Sequence, residues 1–255
     1  MIGEAMVGGR LGSRVRLGAF GVAVALMGCV TATQASEIAN FKLLRFDGAN
    51  VRWRGTNPNQ APRVSYGIVT ETREVLGARN CGALSSLDKL ATTSQLREEA
   101  IIEEIKSAFA MWEDVADIYF RTAETPLNAE ILIGAQLEPF GWAYADVIYD
   151  VGSSDRPKAI LQSVICLNPL RRWKIGFDGN LKSYDLRYTI AHEIGHAIGL
   201  DHPATGGQIM GYRYEEQHRD LQPGDIAGAA LLYGRRKVLP VMAAGRTTRA
   251  LPQAR

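Results

Sequence analysis

The sequence predicts a domain of the α+β class, because strand patterns come early in the chain and helical patterns close it. Its 255 residues are 46% hydrophobic and 22% charged, so that the chain can bury a sizeable core. This composition excludes a disordered chain, a collagen-like repeat and a disulfide-dense miniprotein. The middle of the chain contains no internal repeat and no low-complexity linker, and we expect it to fold as one unit.

The strands are predicted from short hydrophobic patterns. Residues 63–70 alternate between apolar and polar side chains, which is typical of a strand with one buried face. Residues 129–135 form a short apolar run, as expected for a strand that is buried on both faces. Weaker strand patterns cover residues 141–149 and 159–167.

The helices are predicted from longer patterns. Residues 95–117 give the strongest one, since their apolar side chains recur at spacings of three and four. Trp112 belongs to this apolar face, and we expect it to pack in the core. A second helix is predicted over residues 183–199. A last helix begins near Pro223 and ends before Gly234, in accord with the preferences of proline and glycine for these positions.

The two ends of the chain differ in charge from its middle. The formal charge of +2 combines +2 for residues 1–35, −6 for residues 36–234 and +6 for residues 235–255. At the first end, three arginines precede an uncharged run over residues 17–32, which is shorter than the roughly 20 residues that span a bilayer. We therefore predict a signal peptide over residues 1–35, with secretion or export to the periplasm.

Two alternatives to a cleaved signal are open, namely an uncleaved membrane anchor and lipid attachment at Cys29, which lies in a lipobox-like sequence. No second apolar run of that length follows, so we expect no stable membrane insertion after signal removal. Residues 235–255 contain neither an acidic nor an aromatic residue, and we predict a basic disordered tail that does not bind nucleic acid. We expect a monomer.

The cysteines suggest one disulfide. Cys29 lies in the export segment, which leaves Cys81 and Cys166 as an even pair in a chain bound for an oxidising compartment. A disulfide closing so long a loop would add about 3 to 5 kcal/mol to the free energy of unfolding. Two separate buried thiols are the alternative.

One motif in the second predicted helix carries chemistry. His192 and His196 are four residues apart, so they share a helix face and can bind one metal ion, for which neutral imidazoles favour Zn²⁺. Glu193 follows the first histidine and can act as a general base on water at the metal. Gly199 can adopt the left-handed conformation that ends a helix, after which His202 can approach the metal as a third ligand.

The segment HEIGHAIGLDH, residues 192–202, resembles the zinc-binding signature of the metzincin metallopeptidases, and most closely that of the matrixins. Met210, eight residues after the last histidine, matches the methionine turn of that family. Residues 108–115, 141–145 and 221–234 are loosely similar to its first long helix, its substrate-side strand and its final helix.

The resemblance covers about residues 61–234, which we predict to be the catalytic domain, preceded by a short N-terminal segment or pro-segment over residues 36–60. It implies a twisted mixed sheet of about five strands with two long helices, then a small C-terminal subdomain with the final helix. It also implies a zinc endopeptidase that acts on proteins or peptides, with Glu193 as general base and acid. The alternative is a catalytically silent secreted zinc-binding or adhesion module.

Two tyrosines have more than one interpretation. Tyr212, two residues after the methionine, resembles a displaceable zinc ligand of serralysins and astacins. Tyr214 instead matches a matrixin tyrosine that shapes the specificity pocket, and two packing tyrosines are the alternative to both roles.

Further metal ions are a separate question. His218 is the single histidine outside the motif, so we expect one zinc ion and no histidine-rich structural zinc site. Calcium is common in the family, and Asp146, Asp150 and Asp155 could supply oxygen ligands, although a solvated loop explains them equally well.

Overall fold

The computed structural model describes residues 40–57 and 59–237. The predicted signal peptide, Cys29 and residues 238–255 of the predicted tail lie outside the described residues. None of the helices in the described ranges is both long enough and apolar enough to cross a membrane.

The described residues form helices at the positions that the periodicity indicates, together with one short helix that it does not. The α-helices are α1 (Asp88–Ser94), α2 (Glu98–Glu113), α3 (Leu186–Ala197) and α4 (Pro223–Tyr233), and one 3₁₀ turn covers Pro126–Asn128. The strands are β1 (Lys42–Leu43), β2 (Arg45–Phe46), β3 (Ala49–Arg52), β4 (Arg63–Ile68), β5 (Arg73–Glu74), β6 (Ala83–Ser85), β7 (Tyr119–Thr122), β8 (Ile131–Gln136), β9 (Ala143–Tyr149), β10 (Lys158–Leu167), β11 (Trp173–Lys174), β12 (Tyr184–Asp185) and β13 (Leu200–Asp201).

The main sheet is mixed, as predicted. Strands β7, β4, β8 and β10 are parallel neighbours in that order, and β9 pairs antiparallel with the outer side of β10. All six residues of β8 are buried, because this strand is covered on both faces. Within the described residues the sheet has nine strand segments rather than about five, since short segments such as β2 and β5 extend its edges.

Helices α2 and α3 pack against each other on one face of the sheet. Trp112 of α2 is fully buried, and its indole nitrogen donates a hydrogen bond of 2.9 Å to the carbonyl of Ala191. Gly195 of α3 lies so close to this ring that a Cβ atom there would approach it to 3.0 Å, and it would also collide with the sulfur of Met210. The prediction that Trp112 packs in the core is confirmed.

A smaller apolar cluster on the other face contains the disulfide between Cys81 and Cys166, which excludes the alternative of two separate thiols. The loop around Cys81 is also held to β9, since the carboxylate of Asp146 accepts hydrogen bonds from the backbone N–H groups of Asn80 and Cys81 at 2.7 and 2.8 Å. The disulfide thus ties the loop before β6 to β10, and the carboxylate of Asp146 ties the same loop to β9.

The three aspartates considered for calcium have separate partners. While Asp146 holds the loop at residues 80–81, Asp150 accepts N–H groups from its own turn and Asp155 forms an ion pair of 2.8 Å with Arg54. They do not form a cluster of possible metal ligands among the described residues, and calcium binding stays a prediction.

Residues 40–46, which we call the N-terminal strap, cross the chain that follows α3. Strand β1 pairs antiparallel with β13, and the N–H of Leu44 donates to the carbonyl of Gly199 at 2.8 Å. Helix α4 leaves room for the strap at Gly224, where a Cβ atom would collide with the backbone oxygen of Asn40 and with Gln208. These contacts, and the pairing of β3 with β10, extend the folded unit to residues before 61.

The disulfide yields a stability prediction. In a chain that carries Cys29→Ser, the further replacement of Cys81 and Cys166 by alanine should lower the free energy of unfolding by about 4 kcal/mol. The reason is that the unfolded chain gains conformational entropy when no disulfide closes its loop. Denaturant titration monitored by tryptophan fluorescence measures this change.

The control is the Cys29→Ser chain itself. Under native conditions an alkylating agent should not modify it. Its intact mass should increase by two alkyl groups only after the chain has been unfolded and reduced. Two alkyl groups before reduction would contradict the disulfide.

Candidate metal centre

An aspartate and a glycine in the local sequence mark the two ends of helix α3. Asp185 is the N-cap, and its side chain accepts a hydrogen bond of 2.8 Å from the N–H of Tyr188. The helix ends at Ala197, and two residues later Gly199 has a φ of +105° and lies against the carbonyl oxygen of Val51, where a Cβ atom would collide. The chain then reverses, and it brings His202 back to the face of α3.

The three predicted histidines converge on one point. The Nε2 atoms of His192, His196 and His202 form a triangle with sides of 3.1 to 3.2 Å. Three nitrogens that each lie about 2.0–2.1 Å from a tetrahedral zinc ion are separated by about 3.3 Å, so the observed triangle fits this ion. Among the described residues, this is the one group of three or more histidine, cysteine or acidic side chains that could hold a metal.

Backbone carbonyls orient two of these imidazoles. The Nδ1 of His192 lies 2.7 Å from the carbonyl oxygen of Ile209, and the Nδ1 of His196 lies 2.9 Å from that of Leu200. A carbonyl can only accept, so each Nδ1 carries the proton and each Nε2 presents a lone pair to the shared point. Both tautomers are therefore the ones that metal binding requires.

The electrostatic surroundings keep these ligands neutral. Burial, and then the neighbouring imidazoles, hold the pKa of His192 well below its usual value and lower the pKa of His196 to about 4. The pKa of His202 is also lowered, mainly by burial. Neutral imidazoles at neutral pH are ready to bind a cation without first releasing a proton.

Glu193 lines the same cleft and is buried. Its burial, followed by the negative charge of Asp146, raises the pKa of the Glu193 carboxyl to about 8. No hydrogen-bond partner for this carboxylate occurs among the described residues. The group can therefore hold a proton near neutral pH, and a divalent cation at the histidine triangle would favour its charged form.

Met210 lies in a turn that supports the histidines from below. Its sulfur packs against Gly195 of α3. The buried carboxylate of Asp225, in the first turn of α4, accepts hydrogen bonds of 3.0 Å from the N–H groups of both Ile209 and Met210 and one of 2.8 Å from Gln222. The sequence analysis missed Asp225, although an acid three residues after the N-cap is a capping-box signal that could have identified it.

The structure separates the two tyrosines that follow Met210. Tyr212 is 79% exposed, and its ring meets that of His202 edge to face at 5.1 Å. Tyr214 is half-buried, and its hydroxyl accepts from the N–H of Asp185 at 2.9 Å and donates to Glu216 at 2.7 Å. Tyr212 thus lies beside the third histidine, while Tyr214 belongs to the cleft wall.

The histidines open into a cleft of about 1270 Å³. One wall is β9, the opposite wall is residues 211–214, and α3 forms the base. The N-terminal strap closes one end, where Leu44 and Phe46 line the cleft and the Phe46 ring stacks on Tyr149 at 4.7 Å. Nothing in the local pattern of the strap indicated this position, because its contacts with β13 and Tyr149 are with residues more than 100 positions away.

The role of Asp225 can be tested with Asp225→Ala. Loss of the carboxylate leaves three N–H groups without their acceptor. Since each lost hydrogen bond costs about 1 kcal/mol or more, we expect the free energy of unfolding to fall by about 3 kcal/mol. Chemical unfolding measures this, with Asp220→Ala, an exposed aspartate nearby, as the matched control. Equal stability of the two variants would contradict the role given to Asp225.

The geometry agrees with comparisons to known proteins. Residues 87–234 match the model of the family described as Matrixin. Matrilysin of Mus musculus is 26% identical over 155 residues, which cover 58% of this chain and 56% of matrilysin. The hatching enzyme of Paracentrotus lividus is 29% identical over 157 residues, which cover 56% of this chain and 24% of that enzyme.

A third relative, the probable matrix metalloproteinase 095L of Invertebrate iridescent virus 3, is 26% identical over 156 residues, or 59% of this chain and 42% of its own length. The aligned region therefore spans between 24% and 56% of these three relatives. The family match covers more than half of the chain and includes all three histidines and Met210. The chain belongs to the matrixin family.

Proposed function

We propose that the chain is a zinc-dependent endopeptidase. The observation that carries this proposal is the triangle of three Nε2 atoms beside the buried carboxylate of Glu193, at the base of an open cleft. A module that bound zinc for stability alone would not need an ionisable group without a partner at this point. Membership of the matrixin family supports the same reaction class.

The residues divide the chemistry between them. Zinc held by His192, His196 and His202 would supply Lewis acidity, polarising the scissile carbonyl and lowering the pKa of a water molecule. Glu193 accepts the proton of the attacking water and delivers it to the leaving amine nitrogen. Burial raises the pKa of Glu193 to about 8 in the metal-free site, and a bound cation would lower it, leaving a carboxylate that can accept the proton of water.

The cleft suits an extended polypeptide. Strand β9 pairs with β10 on one side only, so among the described residues its other edge has unpaired backbone groups that a substrate strand can use. Its seven residues, at about 3.3 Å each, offer a length of about 23 Å, enough for about seven substrate residues. Substrate on both sides of the metal favours cleavage within a chain rather than at its end.

We also propose that this protein acts outside the cytoplasm. The disulfide supports export, because such bonds persist mainly in oxidising compartments. The signal peptide at residues 1–35 and a cleaved or lipid-anchored mature form belong to this proposal. The catalytic unit then comprises residues 61–234 together with the N-terminal strap and β3.

The role of Glu193 is tested by Glu193→Gln. This variant keeps the shape of the side chain but removes its basicity, so we expect kcat on an unstructured protein substrate to fall about 10²–10⁴-fold with bound zinc unchanged. Glu138→Gln changes an exposed glutamate outside the cleft and should cleave like the parent. Equal rates for the parent and Glu193→Gln would refute the proposed role.

The ligand set is tested by comparing two histidine variants. His202→Ala removes one corner of the triangle and should lose its zinc on dialysis, whereas His218→Ala, at an exposed position, should retain about one zinc ion per chain. Atomic absorption measures the metal, and added zinc after chelation should restore activity to His218→Ala alone. One retained zinc ion in His202→Ala would exclude the proposed site.

A further inference from the structure

We propose that Tyr184 closes the pocket next to the metal centre, so that this peptidase cleaves before small residues such as glycine, alanine or serine. This inference rests on the proposed function and names its substrate class. It comes from a set of rings that we call the aromatic stack, formed by Trp142, Tyr184 and Tyr214.

The aromatic stack joins the two walls of the cleft. The ring of Tyr184 lies parallel to that of Trp142 at a centroid distance of 3.8 Å, and parallel to that of Tyr214 at 4.1 Å on its other face. Such distances are those of rings in contact, so no side chain can pass between the walls at this point. Trp142 precedes β9 and Tyr214 follows the methionine turn, and all three rings line the cleft.

Tyr184 cannot readily leave this position, because the next residue is fixed. Asp185 is fully buried, caps α3 through the N–H of Tyr188 and forms an ion pair of 2.9 Å with Arg219. The N–H of Asp185 also donates to the hydroxyl of Tyr214, the outer ring of the stack. A movement of Tyr184 would therefore disturb the start of the metal-binding helix.

Tyr188 and Thr189, which lie between Tyr184 and His192 in the sequence, also line this part of the cleft. Tyr188 is buried beneath the stack, with its ring edge-on to Tyr214 at 5.0 Å. One turn before Glu193, Thr189 lines the cleft, and among the described residues its hydroxyl is the one buried side-chain oxygen or nitrogen without a hydrogen-bond partner.

The direction of the substrate decides which of its residues enters this space. Antiparallel pairing is slightly more stable than parallel pairing, so we expect the substrate to run from the Tyr149 end of β9 to the Ala143 end. The residue after the scissile bond then lies at the Ala143 end, beside Trp142 and Tyr184. The pocket closed by Tyr184 therefore selects the residue that follows the cleaved bond.

The test compares peptides that differ only at this residue. The full chain should cleave the alanine peptide with a kcat/KM about 10-fold or more above that of the leucine peptide. Tyr184→Ala, which opens the pocket between Trp142 and Tyr214, should reverse this preference, and Tyr184→Leu should reduce it while it retains apolar packing. Leu231→Ala, at an exposed position of α4 outside the cleft, should leave the ratio unchanged.

A binding measurement separates this inference from the proposed function. Two hydroxamates, with a methyl or an isobutyl group directed into the pocket, are titrated by calorimetry into the zinc-loaded parent and into both Tyr184 variants, whose folding is checked by circular dichroism. The parent should bind the methyl compound more tightly, and Tyr184→Ala the isobutyl compound.

The outcomes distinguish two failures. Absence of cleavage of every peptide together with the expected order of hydroxamate binding would refute the peptidase while supporting the closed pocket. A parent that prefers leucine or isobutyl, or a preference that both folded Tyr184 variants leave unchanged, would overturn the role of Tyr184.

Discussion

Two hydrogen bonds from imidazole Nδ1 atoms to backbone carbonyls connect helix α3 to the chain that follows it, and the metal centre depends on them. His192 is bound to the oxygen of Ile209 and His196 to that of Leu200. Each bond sets a tautomer and directs an Nε2 atom at the shared point. A helix can place its own two histidines, but only the returning chain can supply these carbonyls and the third candidate ligand, His202.

Two segments that are far apart in the sequence fix the positions of these carbonyls. Leu200 pairs with Leu43 of the N-terminal strap, whereas the turn that contains Ile209 is held by the carboxylate of Asp225 in helix α4. The strap precedes the histidine motif in the sequence and helix α4 follows it. The metal centre therefore depends on segments on both sides of the motif. Small residues make this closeness feasible, since Gly195 admits the Met210 sulfur and Gly224 admits the strap.

Strand β9 contributes both to the stability of the fold and to the electrostatics of the site. Asp146 secures the disulfide-bonded loop, and its negative charge also contributes to the raised pKa of Glu193. The same strand provides the edge along which an extended substrate can pair, and at its start Trp142 contacts Tyr184 of the aromatic stack. Reaction and selection in the proposed enzyme thus both involve β9, because Asp146 at its middle acts on Glu193 of α3 and Trp142 just before it belongs to the aromatic stack.

The sequence by itself indicated helices α2, α3 and α4, the principal strands and the candidate metal ligands His192, His196 and His202, because periodicity and a spacing of four residues are local properties of the chain. It identified Cys81 and Cys166 as a pair but left their bonding open. Only the tertiary structure decided the roles of Asp225, the N-terminal strap and Tyr184. Their contacts join residues that are distant in the sequence, and the stacking of the aromatic rings depends on how strands and helices pack. Such contacts produce no local sequence pattern.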